Sequence, residues 1–197
     1  MNNERFNHQI TFLLELDKLK EIKRQSRIIP SLRRENSAEH SWHIAIMALV
    51  LGRDYGKDVD LTRVVTMLLL HDIVEIDAGD TYAYDQQGYQ DKEEREQEAA
   101  ARIFGLLPPD QAETLRTTWE EFEQGASREA RFAHSMDRLM PLLHNYYSQG
   151  STWKSHGTSK SQVQNRMAKI REASPELWEF AENLINRAVS QGYLAND

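Results

Sequence analysis

An all-α helical bundle is the fold this sequence predicts, on three observations. Apolar residues recur at three- and four-residue steps along most of the chain. Sustained alternation and Asn-Gly turns, the marks of strands and hairpins, do not stand out. Helix-start residues precede several of the apolar runs, as at Asn36, Ser127 and Pro175.

Phe6 to Arg24 reads as a first amphipathic helix, with Leu13, Leu16 and Leu19 on one side. Residues 25–35 carry Pro30 and several arginines and read as a loop. Asn36 then caps a second helix, with Glu39 as its capping-box partner. That helix runs to about Tyr55 and is apolar nearly all round, which predicts a central position explained by burial in its own domain. A third helix starts near Asp60, buries Leu61, Val64, Val65, Leu68 and Leu69, and ends around Val74. Residues 75–88 have loop character. A charged helix follows from about Gln90 to Leu107, and Pro108 and Pro109 end it. Asp110 caps the next, to about Glu123. Ser127 starts a long helix to about Ser148, which Pro141 should kink. A Gly/Ser/Thr-rich loop over 149–159 leads to two final helices, near 160–172 and 175–191, with Pro175 in a first turn.

Composition narrows the function. The 197 residues suit one domain with a full core. No apolar run is long enough for a membrane span, and the N-terminus lacks the apolar core of a secretory signal. There are no cysteines, so neither a disulfide nor a thiolate metal site is open to it. A cytoplasmic protein without a membrane partner is the expectation. The net charge of -7 argues against nucleic-acid binding, which needs basic surface. A small phosphate ester remains open, because a metal and one or two arginines can neutralise it locally.

Polar groups on apolar stripes are the informative feature. Continuing the third helix's buried face by helical steps lands on Asp72, with His71 beside it. His40 shares a face with Ile44, Met47 and Leu51, and Asp137 shares one with Ala130, Ala133 and Met140. An ionised carboxylate in such a place costs several kcal/mol unless paired or coordinated. Two imidazoles and two carboxylates suit a divalent metal, and four protein ligands leave open positions on an octahedral ion. Each residue also has a structural reading. His40 can be a helix-end histidine, His71 and Asp72 a pair at a helix C-terminus, and Asp137 a partner of Arg138 or a distant arginine. Spacing alone does not bring the three helices together.

The motif Glu39-His40-Ser41, then His71-Asp72-Ile73-Val74-Glu75-Ile76-Asp77-Ala78-Gly79-Asp80, then Asp137 resembles the H…HD…D pattern of HD-domain phosphohydrolases. The extended form, His-Asp-x-x-Glu-x-x-x-Gly-Asp, resembles the branch of bacterial 5′-deoxynucleotidases and their eukaryotic relatives. The resemblance covers about the first 150 residues. It implies an HD helical bundle over residues 1–197. The metal-binding core would span about 36–148, with C-terminal helices over about 160–191 packed on it. It further implies a homodimer and hydrolysis of deoxyribonucleoside 5′-monophosphates to nucleoside and phosphate. By the same resemblance, His40, His71, Asp72 and Asp137 ligate one divalent cation (Co, Mn, Zn, Ni, Fe or Mg). Glu75 orients the attacking water or handles its proton. Asp80 contacts the substrate sugar or protonates the leaving oxygen, and Arg24 binds the phosphate. Where the family often has an aromatic residue after that arginine, this chain has Gln25, and Arg27, Arg33 or Arg34 are rivals for the role.

The alternatives are an HD hydrolase of another nucleotide or phosphoester and a non-catalytic, metal-binding regulatory module. A hydrolase of the alarmone ppGpp would carry Glu-Asp where this chain has Glu75-Ile76. Trp42, Trp119, Trp153 and Trp178 read as packing residues, with Trp153 the one to test for substrate contact. His43 reads as structural, and a role for His144 beside the ligands is open but not favoured. The run Asp91 to Glu98 reads as a solvated helix face with i,i+4 pairs.

Overall fold

The computed structural model describes residues 3–85 and 87–197, so Gln86 of the expected 75–88 loop lies outside it. Helix α1 (Asn3–Glu15) gives way to a 3-10 turn (Leu16–Glu21), a hairpin of β1 (Lys23–Arg27) and β2 (Arg34–Asn36), and then α2 (Ser37–Tyr55) and α3 (Leu61–Leu70). A short α4 (Glu75–Ala78) precedes α5 (Lys92–Phe104), α6 (Pro109–Gln124) and α7 (Arg128–Tyr147). The chain closes with α8 (Ser151–His156), α9 (Lys160–Met167), α10 (Ile170–Ala173) and α11 (Pro175–Ser190).

The predominantly helical expectation holds, and α2, α3, α7 and α11 begin where expected. Asn36 and Glu39 exchange both capping-box hydrogen bonds, at 2.9 and 2.7 Å. Asp60 accepts from the Thr62 and Arg63 amides, and Ser127 from the Ala130 amide. At α6 the expected cap is corrected. Pro108 holds the N-cap and Pro109 the first turn, where a missing N–H costs nothing, and Asp110 pairs with Arg5 instead.

Three stretches expected to be loops contain regular structure, and one of them, 75–88, opens with α4. The first helix stops at Glu15, so Arg24 sits on a strand, and β1 pairs antiparallel with β2 in the register Lys23↔Asn36 and Arg27↔Arg34. Both strands are polar in sequence, so no alternation marks them, yet Ser26 and Glu35 point inward. Within 149–159, α8 forms after Gly150, whose φ of 79° only glycine adopts readily. A Cβ there would collide with the Tyr193 carbonyl oxygen. The third helix ends at Leu70, and the chain continues through turns at 71–74 into α4.

Two clusters make the core. The larger joins α2, α3 and α7 to the C-terminal helices through residues such as Ile44, Leu68, Met136, Ile170 and Ile185. The smaller packs α5 and Trp119 against Phe12, Leu70 and Val74. α7 passes through Pro141 without interruption and touches most of the other layers.

The expectation for α2 is corrected. One face buries Ile44, Ala45 and Ala48, but Trp42 is 60% exposed and Val50 66%, with Ile46 and Leu49 also exposed beside them. Trp42 is therefore not a packing residue of this fold, and burial within the chain does not account for the whole apolarity of the helix.

His134 of α7 donates from Nε2 to the Phe122 carbonyl at 2.7 Å and stacks on the Phe122 ring. Burial, then the Arg138 charge, lowers its pKa to about 4. An unfolded histidine titrates near 6.5, so the unfolded chain takes up this proton first as pH falls. The stability contributed by His134 is full above about pH 6.5 and is lost as pH falls through about 4. His134→Gln keeps an N–H donor and removes the titration. Thermal unfolding from pH 7 to 4 is expected to show a shallower acid decline in this variant, and an unchanged slope would rule the linkage out.

Candidate metal centre

Three helical segments bring the sequence candidates together. His40 lies in the second turn of α2, His71 and Asp72 follow the last turn of α3, and Asp137 lies mid-way along α7. His40, His71 and Asp72 are all buried and offer ligand atoms within 4.8 Å of one another. Asp137 joins them, its Oδ1 lying 3.1 Å from His40 Nε2 and 3.8 Å from His71 Nε2.

The imidazole orientations are set from outside the cluster. His71 Nδ1–H donates to the Leu68 carbonyl at 2.9 Å, which leaves Nε2 as the free nitrogen. That Nε2 is buried, lies 2.9 Å from Asp72 Oδ1, and has no hydrogen-bond partner among the described residues. A lone pair aimed at a carboxylate oxygen is repulsive unless a cation or proton lies between them. Trp119 Nε1 donates to the His71 carbonyl at 3.2 Å and fixes the backbone there. His40 turns Nε2 towards Asp137 and Nδ1 towards Glu35, 3.3 Å away. A carboxylate behind an imidazole in this way holds the ring and raises its basicity as a ligand.

Arg24, on β1, reaches into the middle of the cluster. Its Nη1 is 2.5 Å from Asp72 Oδ2, 3.9 Å from Glu75 and 3.8 Å from Asp80, while Nη2 is 3.9 Å from Asp137 and Nε 3.9 Å from Glu35. Gly79 turns the chain between Glu75 and Asp80 with a φ of 74°. Glu75 accepts a 2.5 Å hydrogen bond from Ser37 Oγ at the start of α2.

The carboxylates divide into two groups. Burial opposes ionisation of Asp72 and Asp137. The cationic form of His71 with Arg24 at Asp72, and the hydrogen bond from His40 with the nearby His71 at Asp137, still hold both below the usual carboxylate range. Burial, reinforced by the Asp72 charge, pushes Glu75 well up, and burial also raises Asp80 despite Arg24. His71 is buried, yet Asp72 and Asp137 raise its pKa well above the ordinary value. The two expected ligands are thus anionic, and the two expected proton-handling residues retain protons to higher pH. Buried anions and the unpartnered Nε2 of His71 fit a divalent cation.

A cleft opens beside the cluster, lined by Arg24, Asp80 and Asp137 and also by Tyr82, Tyr84 and Trp153. Trp153 is buried by its neighbours yet faces this cleft.

The HD domain family model matches residues 16–178, which span all of these residues. The chain belongs to the HD-domain family. The human 5′-deoxynucleotidase HDDC2 is 33% identical over 136 residues, covering 68% of this chain and 65% of that protein. The chain thus aligns with just under two thirds of that relative's length. The crystal structure of a predicted metal-dependent phosphohydrolase from Magnetospirillum magnetotacticum is 50% identical, with a TM-score of 0.93 over 98% of this chain and 96% of that one. An HD-domain phosphohydrolase from Listeria innocua shares the fold at 16% identity, with a TM-score of 0.66 over 94% of this chain and 92% of that one.

Every residue expected at the site lies in or against this HD centre. Arg27, Arg33 and Arg34, the rivals of Arg24, face elsewhere. Arg33 pairs with Glu39, and Arg27 and Arg34 donate to backbone carbonyls of the hairpin. Glu35, Ser37 and the Trp119 contact are not among the residues expected from the sequence. Glu35 stands directly before the cap of α2, the one signal that could have placed it under His40. It also lies 3.8 Å from His144 Nδ1, so His144 does join the surroundings of the ligands.

Asp72→Ala is expected to purify without the stoichiometric divalent metal of the parent chain, measured by elemental analysis. Glu35→Gln is expected to keep the fold and weaken metal affinity about 10–100-fold in a chelator competition. A metal-replete Asp72→Ala protein would overturn the ligand assignment.

Proposed function

We propose that this chain is a metal-dependent phosphohydrolase acting on deoxyribonucleoside 5′-monophosphates, releasing nucleoside and inorganic phosphate. The observation that carries the reading is the convergence of His40, His71, Asp72 and Asp137 with Glu75 and Asp80 beside a cleft that Asp80 and Asp137 line. The HD family membership and the similarity to 5′-deoxynucleotidases support it.

A bound divalent ion, whether Co, Mn, Zn, Ni, Fe or Mg, would supply Lewis acidity and lower the pKa of water in the site. His40, His71, Asp72 and Asp137 would hold it. Glu75, fixed by Ser37 and carrying a raised pKa, orients the attacking water and takes its proton. Asp80, whose pKa burial also raises, gives a proton to the departing sugar oxygen. Arg24 neutralises charge between these groups and is one candidate contact for the phosphoryl oxygens. Catalysis then rests on positioning and charge stabilisation around an in-line displacement.

No described helix is long and apolar enough to cross a membrane, which agrees with the proposed cytoplasmic location. We also propose a single HD domain that pairs as a homodimer. The exposed apolar face of α2 supports the pairing, because Trp42, Ile46, Leu49 and Val50 form a helical stripe that the described residues leave uncovered.

Phosphate release from nucleoside monophosphates, in deoxy and ribo forms, tests the reading after metal is stripped and single divalent ions are restored. Metal-dependent release from the deoxy forms alone is expected, with Glu75→Gln and Asp80→Asn lowering kcat by about 100-fold or more. Full activity in both variants would remove the assigned roles, and release from ribo forms would withdraw the sugar specificity. For the pairing, light scattering is expected to show a dimer in the parent chain and a monomer in Trp42→Glu/Leu49→Arg. A monomeric parent chain would end that proposal.

A further inference from the structure

The cleft is lined by two arginines that no carboxylate of the described protein meets in an ion pair. Arg24, Arg33, Arg63, Arg95 and Arg102 each lie against a carboxylate. Arg138 and Arg166 do not. Both line the cleft that holds Asp80 and Asp137. Among the described residues neither has a carboxylate within ion-pair distance. Arg138 Nε is buried without a hydrogen-bond partner, and Arg166 reaches only the Tyr89 hydroxyl, at 3.5 Å. The two guanidinium groups are near enough for the charge of Arg166 to act on Arg138. Two partly desolvated like charges without a partner are costly to keep in a folded chain.

The arrangement is explained if an anion completes it. Arginine presents planar donors that match phosphate oxygens, and two guanidiniums flanking one cleft can share a phosphate. Arg24, expected from the sequence to take this role, is already surrounded by five carboxylates. We propose that Arg138 and Arg166 form an anion subsite of the cleft that holds a phosphate group of the substrate. Arg138 directly follows Asp137 on α7, so the helix that would carry a metal ligand also carries the phosphate contact. Arg166 comes from α9, so the C-terminal helices complete the substrate cleft. Tyr82, Tyr84 and Trp153 line the same space and offer flat surfaces to a base. The proposal rests on the phosphohydrolase reading for the identity of the phosphate, which is either the group being cleaved or a second phosphate on the nucleotide.

The test uses metal-loaded parent protein, Arg138→Met, Arg166→Gln and Arg166→Lys. KM and kcat are measured for a deoxynucleoside 5′-monophosphate and for its 3′,5′-bisphosphate, together with inhibition by inorganic phosphate. Arg138→Met and Arg166→Gln are expected to raise KM about tenfold or more with a much smaller change in kcat, and Arg166→Lys to recover part of the loss. An equal rise for both substrates assigns the subsite to the cleaved phosphate, and a rise for the bisphosphate alone assigns it to the second. Arg138→Met is expected to melt no lower than the parent, because the charge it removes makes no ion pair among the described residues. A structural arginine would instead lower the melting temperature and leave KM unchanged, which overturns the proposal. If no nucleotide is turned over, the phosphohydrolase reading fails on its own. Calorimetric titration with inorganic phosphate still decides the subsite: binding weakened in both variants supports it, and equal binding in all four proteins overturns it.

Discussion

Five carboxylates, on Glu35, Asp72, Glu75, Asp80 and Asp137, lie within 3.9 Å of the single guanidinium of Arg24. One arginine and two imidazoles cannot balance that charge in a buried place while all five remain ionised, so some must stay protonated or a further cation must enter. Both responses are visible. Glu75 and Asp80 are pushed towards the protonated form, while the orphaned Nε2 of His71 and the carboxylates of Asp72 and Asp137 face a common point. Much of the surrounding fold holds this arrangement in place. The hairpin delivers Arg24 and Glu35, the capping box of α2 sets Ser37 and His40, and Trp119 holds the His71 backbone.

The helices were legible because their signals are local. Asn36, Asp60 and Ser127 place polar side chains where the first amide groups of a helix need acceptors, and the apolar steps that follow fix the buried face. The hairpin was not legible. Lys23–Arg27 and Arg34–Asn36 are polar strands whose pairing is decided by backbone hydrogen bonds and by the demand that Arg24 and Glu35 reach the centre. The four ligand candidates were found as polar residues on apolar stripes, while their convergence needed the tertiary structure. Glu35 escaped because a charge in an apparent loop reads as solvated, although it is 1% exposed. In the sequence Arg138 reads only as a partner for Asp137. On the helix the two side chains diverge, Asp137 towards the imidazoles and Arg138 along the cleft.

α2 shows how one apolar helix can serve two surfaces. His40 and Trp42 are two positions apart, roughly 200° round the helix axis. One side carries His40 with Ile44 and Ala48 into the core, and the other carries Trp42 with Ile46 and Leu49 outward. Apolarity on both sides removes the contrast that usually tells a helix which way to face. The orientation then depends on the polar residues at its start, Ser37 and His40, which have partners only on the inner side.

The ligand candidates are far apart in the chain, with loops of about 30 residues between His40 and His71 and about 65 between Asp72 and Asp137. The chain has no cysteine with which to close either loop. An ion bound by all four residues would act as a removable staple, tying α2, the end of α3 and α7 together and restricting the unfolded ensemble much as a covalent cross-link does. Persistence of the folded chain would then follow the supply of free metal around it, so that a cell starved of the ion would lose the protein as well as its activity.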